Sequence, residues 1–293
     1  MSAKIIDGRK MSAEIREELK EKVKKLKEGG ITPGLGGIIV GEDPGSVTYV
    51  GLKSKACEEV GINAESLKLT EDVKQKELMA HIEWLNHEAK FHGIFIQLPL
   101  PKHLDEDEAL KAVSPDKDVD GFHPLNVGKA WLGQSTFFPA VVIAIHEMLI
   151  RSGYDLRDKE VVVVNVDNMV GKPMASLLVQ DKEKARANVT LCHPSTPELV
   201  SYTRRADILI VSVNKPNFIT ADMVKEGVVV MDFGSNWVED PITKKRKTVG
   251  DVDFEAVKEK SEAITPVPGG VGPMLVTMLL VNTVTAAERQ AGG

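Results

Sequence analysis

Cysteine is almost missing from this chain: 2 residues in 293, Cys57 and Cys192, far apart in sequence. That excludes a disulfide framework and fits a reducing compartment. Aromatic residues make up 5%, and Trp84, Trp131 and Trp237 are scattered, which suits packing better than a stacking platform. No signal-peptide pattern and no apolar run of transmembrane length stand out, so no membrane span and a cytoplasmic location are expected. Basic residues are not in excess: Lys plus Arg number 37 against 43 Asp plus Glu, a net charge of -6. Nucleic acid is therefore not an expected partner. The short cluster Lys244-Lys245-Arg246-Lys247 reads as decoration on an exposed hairpin. The seven histidines show no metal-ligand spacing, so no metal site is expected. No nucleophile elbow carries a Ser-His-Asp order, and no internal repeat recurs at a fixed period. A Gly-x-Gly-x-x-Gly turn is absent after Val164, which argues against a two-domain amino-acid dehydrogenase.

What the chain has is alternation. Its length suggests two domains. Apolar positions 11, 15, 19, 23 and 26 mark an amphipathic helix stopped by Gly29-Gly30. Leu35 to Val40, Glu65 to Leu69 and His92 to Leu98 read as strands, and Val73 to Ala89 and Asp105 to Val113 as helices. The apolar stretch Pro139 to Ser152 reads as a connecting helix. A second block follows, with strands at Glu160 to Val164, Asn188 to Cys192, Asp207 to Val213 and Val228 to Phe233. Helix Pro173 to Gln180 and shorter helical pieces lie between them, and an apolar helix, Met274 to Ala287, comes near the end. Strand and helix in turn imply the α/β class: parallel sheets covered on both faces, the second block with a Rossmann-like dinucleotide pattern.

Three stretches carry residue types suited to chemistry. The first is a helix after the turn Gly41-Glu42-Asp43-Pro44-Gly45, with Ser46 as N-cap and Val47, Val50, Ala56 and Val60 at helical spacing. Tyr49 and Lys53 fall one turn apart on one face. Burial drives a lysine toward its neutral form, and a neutral amine can accept a proton. Read alone, the segment is better taken as an exposed, charged helix, because Tyr-x-x-x-Lys is a weak signal; the other motifs are needed to reverse that. The second stretch is Gly93-Ile94-Phe95-Ile96-Gln97-Leu98-Pro99-Leu100-Pro101, a buried strand that ends in a polar residue. Parallel strands open at their carboxyl ends into ligand sites, which is where Gln97 falls. The third is Pro115 to Asn126, where Asp116, Asp118 and Asp120 alternate before Gly121. A calcium loop needs a glutamate six positions after its glycine, and Val127 stands there. One of these carboxylates can instead grip a ligand edge that bears two N–H donors.

Tyr49-x-x-x-Lys53, then Gln97-Leu98-Pro99-Leu100-Pro101, then Asp118-Val119-Asp120-Gly121-Phe122, then Pro268-Gly269-Gly270-Val271-Gly272-Pro273-Met274, in this order, resembles the bifunctional methylenetetrahydrofolate dehydrogenase/methenyltetrahydrofolate cyclohydrolase family over nearly the whole chain. The resemblance implies a folate-binding catalytic domain at 1–139, completed by a helix at 274–293, and a Rossmann-like NAD(P)-binding domain at 140–273, with a cleft between them. It implies oxidation of the methylene bridge of the folate by a nicotinamide, then hydrolysis of the methenyl cation to 10-formyltetrahydrofolate. Lys53 becomes the acid/base, with Tyr49 and Gln97 as orienting neighbours and Asp120 accepting from the pterin. Leu98, Pro99, Pro268, Gly269, Gly270 and Gly272 join the substrate site. The glycines let backbone come close to substrate and nicotinamide. A homodimer is implied as well.

In the cofactor half the resemblance assigns Asn165, Val166, Asp167, Val170, Gly171, His193, Pro194, Ser195, Val213 and Asn214 to the nucleotide. Several depart from the family pattern. Asn165 stands for a glycine, for which positive φ would suit it. Val166 and Pro194 stand where an arginine and a serine usually hold the 2′-phosphate of NADP, and Asp167 lies beside them. NAD is therefore favoured over NADP. Pro139-Ala140-Val141-Val142, Asn214 and Leu275 are further departures. They leave two alternatives: a cyclohydrolase with weakened or lost dehydrogenase activity, and an inactive folate-binding homologue.

Overall fold

A computed structural model of the chain describes residues 3–239 and 246–292. In chain order its elements are β1 (Lys4–Ile5), α1 (Gly8–Glu28), β2 (Gly34–Val40), α2 (Pro44–Val60), β3 (Asn63–Leu69), α3 (Gln75–His87), β4 (Gly93–Ile96), α4 (Glu106–Ala112), α5 (Pro124–Trp131) and α6 (Ala140–Arg151). There follow β5 (Glu160–Val164), α7 (Gly171–Leu178), β6 (Asn188–Cys192), α8 (Leu199–Thr203), β7 (Ile208–Val211), β8 (Val228–Asp232), β9 (Asn236–Glu239), β10 (Arg246–Val249), α9 (Phe254–Lys258), β11 (Ser261–Ile264) and α10 (Val271–Ala291). The alternation expected from the sequence is present, with most boundaries shifted by a few residues.

The chain forms two compact units, Ala13–Ala140 with Val276–Gly293, and Met1–Ser12 with Val141–Leu275. In the first, β3, β2 and β4 make a parallel sheet with β2 central. Every residue of β2 is buried, because a central parallel strand is covered on both faces. Glycines inside it make room for its neighbours: a Cβ on Gly37 would lie 2.4 Å from the ring of Phe95, its register partner on β4. The core joins β2 and β4 to α3 through Ile38, Leu78, Ile82, Leu85, Phe91 and Ile94.

The second unit holds a parallel sheet in the order β1-β11-β8-β7-β5-β6. Strand β5 pairs with β6 on one side and β7 on the other, so the order reverses there. Ligands of such sheets bind outside the carboxyl ends of the strands at that reversal.

Several expectations are corrected. Residues 1–12, expected with the first domain, contribute β1 to the second sheet, where it pairs with β11. Ile6 N–H donates to Ile264 at 3.0 Å and Gly8 N–H to Gly269 at 3.0 Å. Helix α2 is capped by Asp43, not Ser46; the Asp43 carboxylate accepts from Ser46 N–H at 2.8 Å. The buried face of α2 is Ser46, Ala56, Cys57 and Val60, whereas Val47 is exposed. Strand β4 stops at Ile96, so Gln97 and Leu98 lie beyond it. Helix α5, rich in exposed apolar side chains, was not foreseen. Lys244 and Lys245 lie outside the described residues, while Arg246 and Lys247 begin the antiparallel pair β9–β10. Helix α10 is long and apolar enough to cross a bilayer, against the expectation of no apolar run of that length. Since 67% of that window is buried inside the protein, it fits a core helix.

Candidate active site

Helix α2 points Lys53 at β4. The Lys53 amine donates to Gln97 Oε1 at 3.2 Å and sits 3.9 Å from the centre of the Phe95 ring. Gln97 is fixed at both ends: its N–H donates to Ile38 on β2 at 2.8 Å, and its Nε2 donates to the carbonyl of Leu98 at 2.9 Å. The amide oxygen is thereby left to face the amine. The Leu98–Pro99 peptide is cis. Phe95 and Gln97 are two positions apart, so the alternation of an extended chain puts them on one face. That spacing was the available signal for Phe95, which the sequence analysis missed.

Loss of solvent pushes the Lys53 pKa below its ordinary value, opposed first by Asp120 and then by Cys57. The face of Phe95 favours the charged form by about 1–2 kcal/mol. Desolvation of an ammonium costs several kcal/mol, so the neutral amine remains the favoured direction. Cys57, one turn further along α2, is held as the thiol, burial pushing it up to about 12. Tyr49 differs from expectation. It shares the helix but is 48% exposed, and its hydroxyl has no hydrogen-bond partner among the described residues. The aromatic group that shields the amine is Phe95.

Asp120 follows the bridge between Ile94 and Asp118 that ties its loop to β4. Burial pushes its carboxyl up to about 6; the Lys53 charge opposes this and Asp118 adds to it. Asp118 is a clasp. One of its oxygens accepts from Gly121 N–H at 3.0 Å and Phe122 N–H at 3.3 Å, the other from His123 N–H at 2.8 Å and Asn126 Nδ2 at 2.9 Å. Gly121 takes φ 73°, which favours glycine, and a Cβ there would lie 2.7 Å from Phe138 backbone. Asn282 on α10 donates to the carbonyls of Val119 and Phe138, closing the loop from behind.

In the other unit the loop after β5 is organised by two side chains. Asn165 does not adopt positive φ, contrary to expectation. Its Oδ1 accepts from Asp167 N–H and Gly171 N–H, and its Nδ2 donates to Asp167 and to the carbonyl of Ser212. Asp167 accepts from Met169 and Val170 N–H and is exposed. Gly171 is buried so close to this loop that a Cβ would fall 2.2 Å from the Asn165 carbonyl oxygen. Val166 and Pro194 are half-buried and offer no side-chain donor. His193 and Ser195 pair with each other, Nδ1 to Oγ at 2.6 Å. Asn214, where the resemblance expects glycine, does take φ 54°. Gly269 lies at φ 116° after the cis Val267–Pro268 peptide, and Gly270 N–H donates to Pro266. Gly272 has open space around it.

Comparison with known proteins gives a consistent answer. Residues 6–120 match the family model "Tetrahydrofolate dehydrogenase/cyclohydrolase, catalytic domain", and residues 139–291 match "Tetrahydrofolate dehydrogenase/cyclohydrolase, NAD(P)-binding domain". The bifunctional protein FolD of Nautilia profundicola is 50% identical over 287 residues, 98% of each chain. A crystal structure of the bifunctional methylenetetrahydrofolate dehydrogenase/cyclohydrolase FolD of Campylobacter jejuni is 47% identical with a TM-score of 0.93, covering 99% of this chain and 100% of that one. The Trypanosoma brucei dehydrogenase-cyclohydrolase, solved with NADP and an inhibitor, is 37% identical with a TM-score of 0.92 over 100% of both chains.

Replacing Asp118 by alanine strands buried backbone N–H groups and the Asn126 amide, each costing about 1–3 kcal/mol. Asp118→Ala is expected to destabilise its unit by about 3 kcal/mol or more in urea unfolding; a loss under 1 kcal/mol would refute the clasp.

Proposed function

The chain belongs to the tetrahydrofolate dehydrogenase/cyclohydrolase family, and from that premise we propose how its residues divide the work. It is a bifunctional enzyme of one-carbon metabolism: it oxidises 5,10-methylenetetrahydrofolate to 5,10-methenyltetrahydrofolate with NAD(P)+, and hydrolyses that product to 10-formyltetrahydrofolate. The observation that carries the residue assignment is the Lys53 amine, set against Phe95 and Gln97 and biased toward neutrality by burial.

Hydride loss to the nicotinamide leaves a positive charge shared across N5, the one-carbon bridge and N10. A permanently charged ammonium alongside would oppose that charge by several kcal/mol in a poorly solvated site. A neutral amine does not. In the second step a water oxygen bonds to the bridge carbon as Lys53 takes one water proton; the protonated amine then returns that proton to N5 as the carbon–N5 bond breaks, the added hydroxyl gives its remaining proton to solvent, and the formyl group is left on N10. Gln97 orients the amine. Tyr49, exposed and unpaired among the described residues, is free to meet the substrate. The Asp120 carboxylate accepts from the pterin N3–H and amino group, with Leu98 and Pro99 as further substrate contacts.

The residues around the nucleotide fit a dinucleotide at the carboxyl ends of β5, β6 and β7: Gly171, Val170, Val213 and Asn214 supply backbone, and His193 with Ser195 a polar pair. NAD preference is part of the proposal. Val166 and Pro194 offer no side-chain donor, and the exposed Asp167 carboxylate repels a 2′-phosphate. The nearby arginines are engaged: Arg205 with Thr190 and the Tyr202 ring, Arg204 with the Asp222 carbonyl. The proposal also takes the enzyme as a cytoplasmic homodimer; its two cysteines, free and buried, suit a reducing compartment.

Three outcomes are expected. Lys53→Met lowers cyclohydrolase turnover by about 10²–10⁴-fold while the melting temperature is kept; methenyl-folate decay at the wild-type rate in a folded variant would contradict the role. Ionised Asp120 is the form that binds pterin, and its pKa is raised to about 6. The folate KM is therefore constant above that pH and climbs up to about tenfold per unit below it. Asp120→Asn removes the dependence; a KM that is flat from pH 5 to 8 in the wild type would exclude this use of Asp120. Steady-state rates with both cofactors should favour NAD over NADP by about tenfold or more in kcat/KM, the scale of one missing charge-assisted hydrogen bond; a preference for NADP would overturn it.

A further inference from the structure

Asp251 is a wholly buried carboxylate in the NAD(P)-binding unit, outside every motif drawn from the sequence. It faces the loop that leaves β7. One oxygen accepts from Val213 N–H at 2.6 Å and Asn214 N–H at 3.1 Å; the other accepts from Lys215 N–H at 2.8 Å and Asn236 Nδ2 at 2.8 Å. Three successive backbone N–H groups thus converge on one carboxylate, an anion-binding concavity filled from within the protein. The fit is close: a Cβ on Gly234 would lie 2.3 Å from the Asp251 carboxyl carbon, and one on Gly250 would lie 1.9 Å from Asp232. Asp232 in turn accepts from the N–H groups of Gly234, Asp251 and Val252. The two carboxylates lock the loop after β7, the loop after β8 and the segment before α9 into one body.

The consequence lies on the other side of the peptide planes. In a trans peptide the carbonyl points opposite to the N–H. With the N–H groups of Val213, Asn214 and Lys215 turned to Asp251, the carbonyls of Ser212, Val213 and Asn214 are turned away from it. The Ser212 carbonyl meets Asn165 Nδ2 at 2.7 Å, which bears this out. The carbonyls of Val213 and Asn214 accept no hydrogen bond among the described residues. They stand at the carboxyl end of β7, beside the reversal of strand order at β5.

We propose that Asp251 is a positioning residue for the nicotinamide cofactor: by gathering the three N–H groups it presents the Val213 and Asn214 carbonyl oxygens to hydrogen-bond donors of the dinucleotide, a ribose hydroxyl or the carboxamide NH2. This rests on the proposed placement of the dinucleotide at the ends of β5, β6 and β7. Asparagine at 251 keeps the volume but has one acceptor oxygen and turns an NH2 toward N–H donors, so the loop rotates.

The two activities supply the control, since ring-opening hydrolysis needs no nicotinamide. In the full-length enzyme, Asp251→Asn is expected to raise the KM for the preferred nicotinamide cofactor about tenfold or more. Its folate KM and cyclohydrolase turnover stay within about twofold of wild type. Asn236→Ala, which removes one support of Asp251 without touching the loop, is expected to raise the same KM about threefold. An unchanged cofactor KM in both variants overturns the proposal. So does a parallel loss of both activities, which is what a general structural role produces. Failure of the underlying placement looks different: wild-type turnover with NAD or NADP would persist while substitutions at Val170 and Gly171 left the cofactor KM unmoved.

Discussion

An amine removed from water beside an aromatic face is the contact on which the catalytic unit depends. Three features converge on it. Helix α2 supplies Lys53, β4 supplies Phe95, and the residue just past β4 supplies the Gln97 amide. The Phe95 ring occupies its place because β2 carries a glycine opposite it. A side chain at Gly37 would displace the ring, and the amine would lose its platform. The central strand and the setting of the amine are therefore linked by one missing side chain.

Short polar side chains do the remaining organisation. Asp118, Asn165 with Asp167, and Asp251 each gather several backbone N–H groups from a loop that follows or adjoins a parallel strand. Loops at the carboxyl ends of strands cannot satisfy their N–H groups by a ladder, and burial makes an unpaired one costly. An internal carboxylate or amide solves that problem and fixes the direction of every carbonyl in the same peptide planes. The same device shapes the segment bearing Asp120 and the segments assigned to the nucleotide.

Departures from the family pattern fall mainly on the nucleotide side, and their structural effects are uneven. Asn214 preserves the left-handed backbone of the glycine it replaces. Asn165 does not; it substitutes hydrogen bonds for conformational freedom. Val166 and Pro194 offer no side-chain donor, and the strands beneath them are undisturbed. The backbone frame is kept while the side chains on it differ.

Strand and helix alternation and the α/β class were legible in the sequence, because hydrophobic period is a local property of the chain; Asp120 was singled out from its neighbouring aspartates only by the family resemblance. The same resemblance attached an activity to the chain. Only the tertiary structure revealed that Phe95 rather than Tyr49 shields the amine and that Asp118 is a clasp beside Asp120. It alone showed that the first strand joins the second sheet and that a buried Asp251 holds the loop after β7. Three of these depend on a partner distant in sequence: Gly37 across the sheet, β11 for β1, the β7 loop for Asp251; the Asp118 clasp is local, and Asn282 from α10 closes its loop from behind. Local pattern sets which way a side chain faces along its own element. What it then meets is fixed by packing between elements, and no local period encodes that.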